Sequence, residues 1–255
     1  MSGDRNALVW TQQPQTALGA APHLVEGLKV LWNPAVGDGT INLANPIDPP
    51  TISFTVLNDV RSNARGRLVG TGGNSDGFYW PTTSGASQWT VFVNLEFTSQ
   101  TGSQGYLQWA GAGVNSANPR LLLQNDTSNL TVYWNSNYRI TESGVGLLGS
   151  RHSIVARFDG TTLFYYRNGL RYTYVGGATN AGTHIWFGSG YLSGGRCSMF
   201  AGAWWERAID DGDAMEISLN PWSVFSPLFR RTHDQVVGSP NYYYQQQALV
   251  TGVNA

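Results

Sequence analysis

The sequence predicts an all-β protein, and three observations carry that reading. The chain of 255 residues holds 31 glycines and is 13 % aromatic, a pairing of turn formers with large flat side chains that suits pleated surfaces joined by tight turns. Residues 89–97 place an apolar side chain at every second position, with Thr90, Asn94 and Glu96 between them. Asp159-Gly160 and Asn168-Gly169 stand between apolar runs, and these dipeptides tolerate the positive φ of short hairpin turns.

Taken in chain order, residues 1–48 carry scattered prolines (Pro14, Pro22, Pro34, Pro46) and little periodicity. Val25, Leu28, Val30 and Leu31 fit either a short strand or a helical turn. Pro49-Pro50 interrupts regular structure and marks a boundary. From Trp89 to Phe97, positions 89, 91, 93, 95 and 97 share one apolar face and Thr90, Asn94 and Glu96 the other, so a strand with one buried face is expected. Ser153–Phe158, Leu163–Tyr166 and Leu170–Tyr174 form a three-stranded meander around the two turn dipeptides. Further strands are expected at Tyr106–Trp109, Arg120–Leu123, Leu130–Trp134, His184–Phe187 and Ser198–Trp205. One helix is expected, Asp210–Leu219. Asp210, Asp211 and Asp213 crowd the end that favours negative charge, Asp213 and Glu216 have capping-box spacing, and Asn220-Pro221 ends it. The organisation is therefore an N-terminal extended arm (1–48), one domain (49–219) and a C-terminal tail (220–255).

Charge is sparse, at 12 % of residues, with a formal net charge of −1. No field points to nucleic acid or to an anionic membrane. Cys197 is the sole cysteine, which excludes an intrachain disulfide and a cysteine-based metal cluster. The first twenty residues lack a continuous apolar stretch, which speaks against a secretory leader. No run approaches the ~18 apolar residues of a membrane helix. Synthesis in a cytoplasm is expected, with no cofactor.

The stretch Arg151-His-Ser-Ile-Val-Ala-Arg-Phe-Asp-Gly-Thr-Thr-Leu-Phe-Tyr-Tyr-Arg-Asn-Gly-Leu170 resembles the central hairpins of laminin G-like and concanavalin A-like domains. Ser198 to Ile217 is similar to their usual ending of strand, acidic turn and short helix. Leu219-Asn-Pro-Trp-Ser-Val-Phe225 and Leu8-Val-Trp-Thr-Gln-Gln-Pro14 resemble segments of bacteriophage and prophage structural proteins. The resemblance covers 89–225 well and 51–80 weakly. It implies a two-sheet antiparallel jelly-roll sandwich of the concanavalin A kind, with His152 as a structural histidine. Such folds host lectins, glucanases and plain assembly modules, so fold alone fixes no function.

The candidate chemistry is thin. Gly73-Asn-Ser-Asp-Gly77 matches a nucleophile elbow in letters, but that motif needs a helix after it, and Phe78-Tyr-Trp-Pro81 is not helical. Glucanases of this fold need closely spaced acids on one strand; Glu96 has no acidic neighbour there, Glu206 stands at a strand end and Glu142 alone in a loop. Asp210, Asp211 and Asp213 read as helix-capping rather than calcium ligands. His23, His152, His184 and His233 lack ligand spacing. Asn125 and Asn129 begin glycosylation-type triplets that read as turns. Sugar rings stack on exposed aromatics flanked by amides, which makes Tyr79, Trp80, Asn135 and Tyr138 the candidate carbohydrate contacts. Trp10, Trp222, Phe225, Phe229, Tyr242, Tyr243 and Tyr244 are the candidate assembly contacts, because a solvated tail gains nothing from aromatics; the near part of the tail, up to about Leu228, is expected to pack back on the sandwich, and the part from about Arg230 to lie against a neighbouring subunit.

The reading is a non-enzymatic bacteriophage virion protein: a capsid-decorating, head-fibre, tail or baseplate component. Its expected partners are other virion proteins, further copies of itself and a cell-surface glycan, with no nucleic acid and no membrane. The alternatives are a carbohydrate-binding host-recognition protein and, more weakly, a glycan hydrolase.

Overall fold

The computed structural model describes residues 19–34, 42–44, 60–62, 67–69, 78–82, 87–97, 103–110, 121–126, 129–134, 138–143, 148–175, 182–187 and 197–225. Within them lie fourteen strands. They are β1 (Leu28–Trp32), β2 (Val60–Ser62), β3 (Arg67–Val69), β4 (Phe78–Pro81), β5 (Trp89–Phe97), β6 (Ser103–Ala110), β7 (Leu121–Asp126), β8 (Asn129–Trp134), β9 (Tyr138–Glu142), β10 (Arg151–Phe158), β11 (Thr162–Arg167), β12 (Leu170–Val175), β13 (His184–Phe187) and β14 (Cys197–Trp205). A helix, α1 (Asp211–Leu219), follows.

The strands form two antiparallel sheets. The larger runs β12-β11-β10-β5-β14-β3-β2, and β1 joins it along β14; the smaller runs β4-β13-β6-β7-β8-β9. β1 and β3 lie end to end on the same side of β14: β3 pairs with Ser198 and Met199, β1 with Gly202 to Trp205. A register shift between Met199 and Ala201 separates the two halves. It turns Phe200 and Ala201 to the outside while Cys197, Met199 and Trp204 face inward, the re-aiming that an extra residue produces in a ladder.

Alternation explains the core between the sheets. Trp89, Val91, Val93, Leu95 and Phe97 of β5 point inward, as the sequence predicts, and meet Leu107, Trp109, Leu123, Val132, Ile185 and Phe187 of the smaller sheet. Trp204 stacks on Trp89 at 5.8 Å between centroids and meets Trp109 at 5.0 Å. Gly202 is required beside them, because a Cβ there would lie 2.7 Å from the Phe187 ring.

The other face of β5 departs from expectation. Thr90, Phe92 and Asn94 are fully buried, so this strand has two buried faces. The cover is a third layer over the larger sheet, made of Ala21, Leu24, Leu43, Ile209, Ala214, Ile217, Trp222, Val224 and Phe225. Its polar contacts are internal. The Thr90 hydroxyl donates to the Arg207 carbonyl and accepts from Ile209 N–H, and the Trp205 indole donates to the Leu24 carbonyl at 2.7 Å. Segments 20–32 and 42–44, read from sequence as part of an arm, are therefore built into the domain: β1 is a sheet strand, and Pro22–Leu24 is a single 3-10 turn. Trp222 and Phe225, expected as assembly contacts, are buried within this chain, Phe225 at 1 % exposure and Trp222 at 9 %. Trp10, Phe229 and Tyr242 to Tyr244 lie outside the described residues, as do Pro49-Pro50 and Gly73 to Gly77; β4, a strand, follows the latter.

The hairpin turns form as the dipeptides predict, with Asn168 at φ 48° and Gly169 at φ 82°. Helix α1 begins one residue later than expected. Asp210 is its cap position but makes no side-chain cap bond. Asp213 already lies in the first turn, so the Asp213–Glu216 capping box is not the one used. The acids act on neighbours instead. Asp211 takes Arg157 at 3.1 Å and Arg171 at 3.2 Å and accepts a hydrogen bond from the Tyr166 hydroxyl, while Asp213 faces His23 at 3.6 Å. Among the described residues no helix is long and apolar enough to cross a membrane.

Burial, then the hydrogen bond given to Asp211, pushes the Tyr166 phenol up to about 12 from 10.0. The neutral phenol is the folded form, so the folded state holds its proton more tightly than the unfolded chain does. That stability is present below pH 10 and drains away between about pH 10 and 12. Tyr165 and Tyr172 are shifted in the same direction and add to the slope. Denaturant melts across pH 9–12 are expected to show a falling unfolding free energy, with a shallower fall in Tyr166→Phe. An unchanged slope in that variant would place the titration elsewhere.

Candidate functional site at the rim between the end strands

β12 ends the larger sheet and β9 ends the smaller one. Their residues define one rim of the sandwich. Glu142 closes β9 and is buried, not alone in a loop as the sequence reading has it. Its carboxylate accepts two hydrogen bonds from Arg167 of β11, one from Nη2 and one from Nε at 2.6 Å. This two-pronged pair bridges the two sheets, the geometry for which a planar guanidinium is suited. Arg167 Nη1 also reaches Nδ1 of His152 at 3.2 Å. An arginine only donates, so Nδ1 accepts and the ring proton sits on Nε2. His152 is buried and its ring meets Phe97 at 5.3 Å, a structural role consistent with the resemblance.

Tyrosines complete the rim. Tyr165 of β11 lies opposite Tyr172 of β12, with ring centroids 5.7 Å apart. Tyr174 stands two residues further along β12, opposite Leu163 and therefore on the same face. Tyr165 is fully buried, whereas Tyr172 and Tyr174 are half-buried against the core. Burial first, then the Glu142 charge, holds the phenols of Tyr165 and Tyr172 above the ordinary value, far above for Tyr165. Its hydrogen bonds to Glu142 raise Arg167 against the opposing effect of burial. The rim thus presents two half-open aromatic side chains backed by a neutralised ion pair. Such a ledge can take an apolar ring face and the hydroxyls around it.

The carbohydrate contacts expected from sequence do not converge. Trp80 is buried at 2 % exposure, with its ring 6.4 Å from Trp32 and 5.7 Å from Phe187; it is a core residue, because β4 turns it between the sheets. Tyr79 and Tyr138 are described in their backbones only, and Asn135 lies outside the described residues. Tyr79 is on β4 and Tyr138 on β9, the two ends of the smaller sheet, five strand spacings or about 24 Å apart. Tyr138 shares its strand with Glu142. The rim residues Tyr172, Tyr174, Glu142 and Arg167 were missed because each looks ordinary alone; the available signal was the inward parity that Glu142 shares with Ile140.

Two further glutamates also face cations. Glu96 stands opposite Arg151 in the β5–β10 ladder, and Glu206 meets Lys29 at 3.6 Å. Among the described residues no group of three His, Cys, Asp or Glu stands together as a metal site would require.

No protein-family model matches the sequence, and no curated protein matches it. Solved structures do. A sialidase of Trypanosoma rangeli is similar at 12 % identity and TM-score 0.62, over 87 % of this chain and 39 % of that one. The same enzyme in complex with sialic acid is similar at 15 % and 0.61, over 79 % and 34 %. The receptor-binding domain of botulinum neurotoxin type G is similar at 8 % and 0.57, over 76 % and 51 %. The chain spans well under half of the sialidase and about half of the toxin domain. At these identities the likeness assigns the fold alone: an all-β antiparallel sandwich.

Proposed function

We propose that this chain is a non-enzymatic, lectin-like domain that binds carbohydrate at the β9–β12 rim and belongs to a bacteriophage structural protein. The observation that carries the binding role is the pair Tyr172 and Tyr174. They lie half-open on the end strand of a fold whose similar structures include a sialidase holding sialic acid and a receptor-binding domain. Tyr138, on the facing end strand, is a further contact in this reading. The non-enzymatic part is supported by Glu142, Glu206 and Asp211, each of which meets a cation rather than a second carboxylate at the spacing glycoside cleavage needs. Titration against an oligosaccharide panel tests the site. Tyr172→Ala and Tyr174→Ala are each expected to weaken binding about tenfold, and Tyr138→Ala measurably. Binding untouched by all three would move the site elsewhere.

The virion assignment is supported by the sequence resemblances at Leu8–Pro14 and Leu219–Phe225. In this reading the partners are other virion proteins and further copies of the chain, and the position of the protein in an intact particle by electron microscopy tests it. The distal tail is read as an assembly arm. Hydrogen exchange at 232–255 is expected to be fast in the free protein and protected in the particle, since exchange reports local opening. Strong, equal protection in both would make the tail part of the domain.

A further inference from the structure

We infer that the rim selects neutral over acidic carbohydrate; this rests on the binding site proposed above and names its ligand class. An acidic sugar is recognised through a cation that can offer a paired N–H edge to its carboxylate or sulfate. At the described rim that edge belongs to Arg167, and it is already taken. Nε and Nη2 both donate to Glu142, and Nη1 is directed at His152. The pair is deeply set, with side-chain exposures of 11 % for Arg167 and 9 % for Glu142. A ligand anion would have to displace a buried carboxylate from its partner while approaching that carboxylate's own charge.

Among the described side chains, the neighbouring cation Arg171 is also engaged. Arg171, on β12 beside Tyr172, points to the outer face, where Asp211 holds it at 3.2 Å together with Arg157. What the rim offers is the half-buried phenols of Tyr172 and Tyr174 and their aromatic carbon. These are partners for sugar hydroxyls and C–H faces, and none prefers an anion. Burial and the Glu142 charge hold the Tyr172 phenol in its neutral form, so it is a donor rather than a charge.

The test uses the full chain and matched probes: galactose-, glucose- and N-acetylglucosamine-terminated oligosaccharides, and the same cores capped with sialic acid or sulfate, titrated at low ionic strength, where charge effects are least screened. Neutral probes are expected to bind at least tenfold more tightly than their acidic counterparts. Glu142→Gln, with folding checked by circular dichroism, is expected to lower that ratio, because it leaves the guanidinium with a net charge. The wild-type ratio decides the matter even where that variant fails to fold. Acidic probes binding as tightly as neutral ones, or more tightly, would overturn the selectivity and leave the rim site standing. No binding of either class would overturn both.

Discussion

Arg167→Ala is expected to destabilise the domain by about 3–5 kcal/mol, since removing one partner leaves the Glu142 carboxylate buried without compensation. The loss has two origins. Glu142 loses both of its charge-assisted bonds, and His152 loses the donor at Nδ1. The paired replacement Glu142→Leu with Arg167→Met distinguishes a dangerous charge from a valuable bridge. It removes both charges with side chains of similar bulk, and it is expected to recover most of the lost stability, because a buried pair roughly balances its own desolvation. Denaturant melts of the two variants give the answer directly. A loss below about 1 kcal/mol in Arg167→Ala would mean that water reaches Glu142 freely.

Trp204→Ala should cost a similar amount, about 3–5 kcal/mol, for a different reason. Trp204 is fully buried, parallel to Trp89 within 13° and against Trp109. Trp89 in turn stacks on Phe158 at 6.2 Å. Truncation opens a cavity where strands of both sheets meet, and those rings cannot collapse into it without leaving their own partners. For a chain of this size the midpoint temperature should fall by roughly 6–20 °C. Trp222→Ala is the control: Trp222 lies at the margin of the outer layer, and its loss should be clearly smaller. Equal losses at the two positions would show that the central stack has no special weight.

Much of the fold was legible because its signals are local. Alternation at 89–97 and the turn dipeptides at 159–160 and 168–169 need only neighbouring residues to act. The strands there, and the helix after Asp210, appear within a residue or two of their expected bounds. What was hidden depends on distant partners. Leu28–Trp32 becomes a strand only because β14 supplies a ladder for it. Thr90 and Asn94 look like a solvent face by parity, yet residues 21–24, 43 and 209–225 form a layer over that face. The burial of Trp80 was hidden for the same reason. Trp80 and Tyr138 share a composition suited to sugar, but not a neighbourhood, and the pairing of Glu142 with Arg167 crosses from one sheet to the other.

The placement of β14 has a consequence in time. It is the last of the described strands to leave the ribosome, yet it lies at the middle of the larger sheet, flanked by β5 on one side and by β1 and β3 on the other. Leu24 and Trp205, joined by a hydrogen bond, are 181 positions apart, so at 5–20 residues per second the N-terminal segment waits about 10–40 s for its partner. Through that interval the apolar side chains of β1 have no seat, and from the completion of β5 onward the flank that β14 will occupy is an open template. A nascent chain stopped short of residue 197 therefore lacks more than an edge: its larger sheet is divided in two, and the ends of the molecule have nothing to close upon.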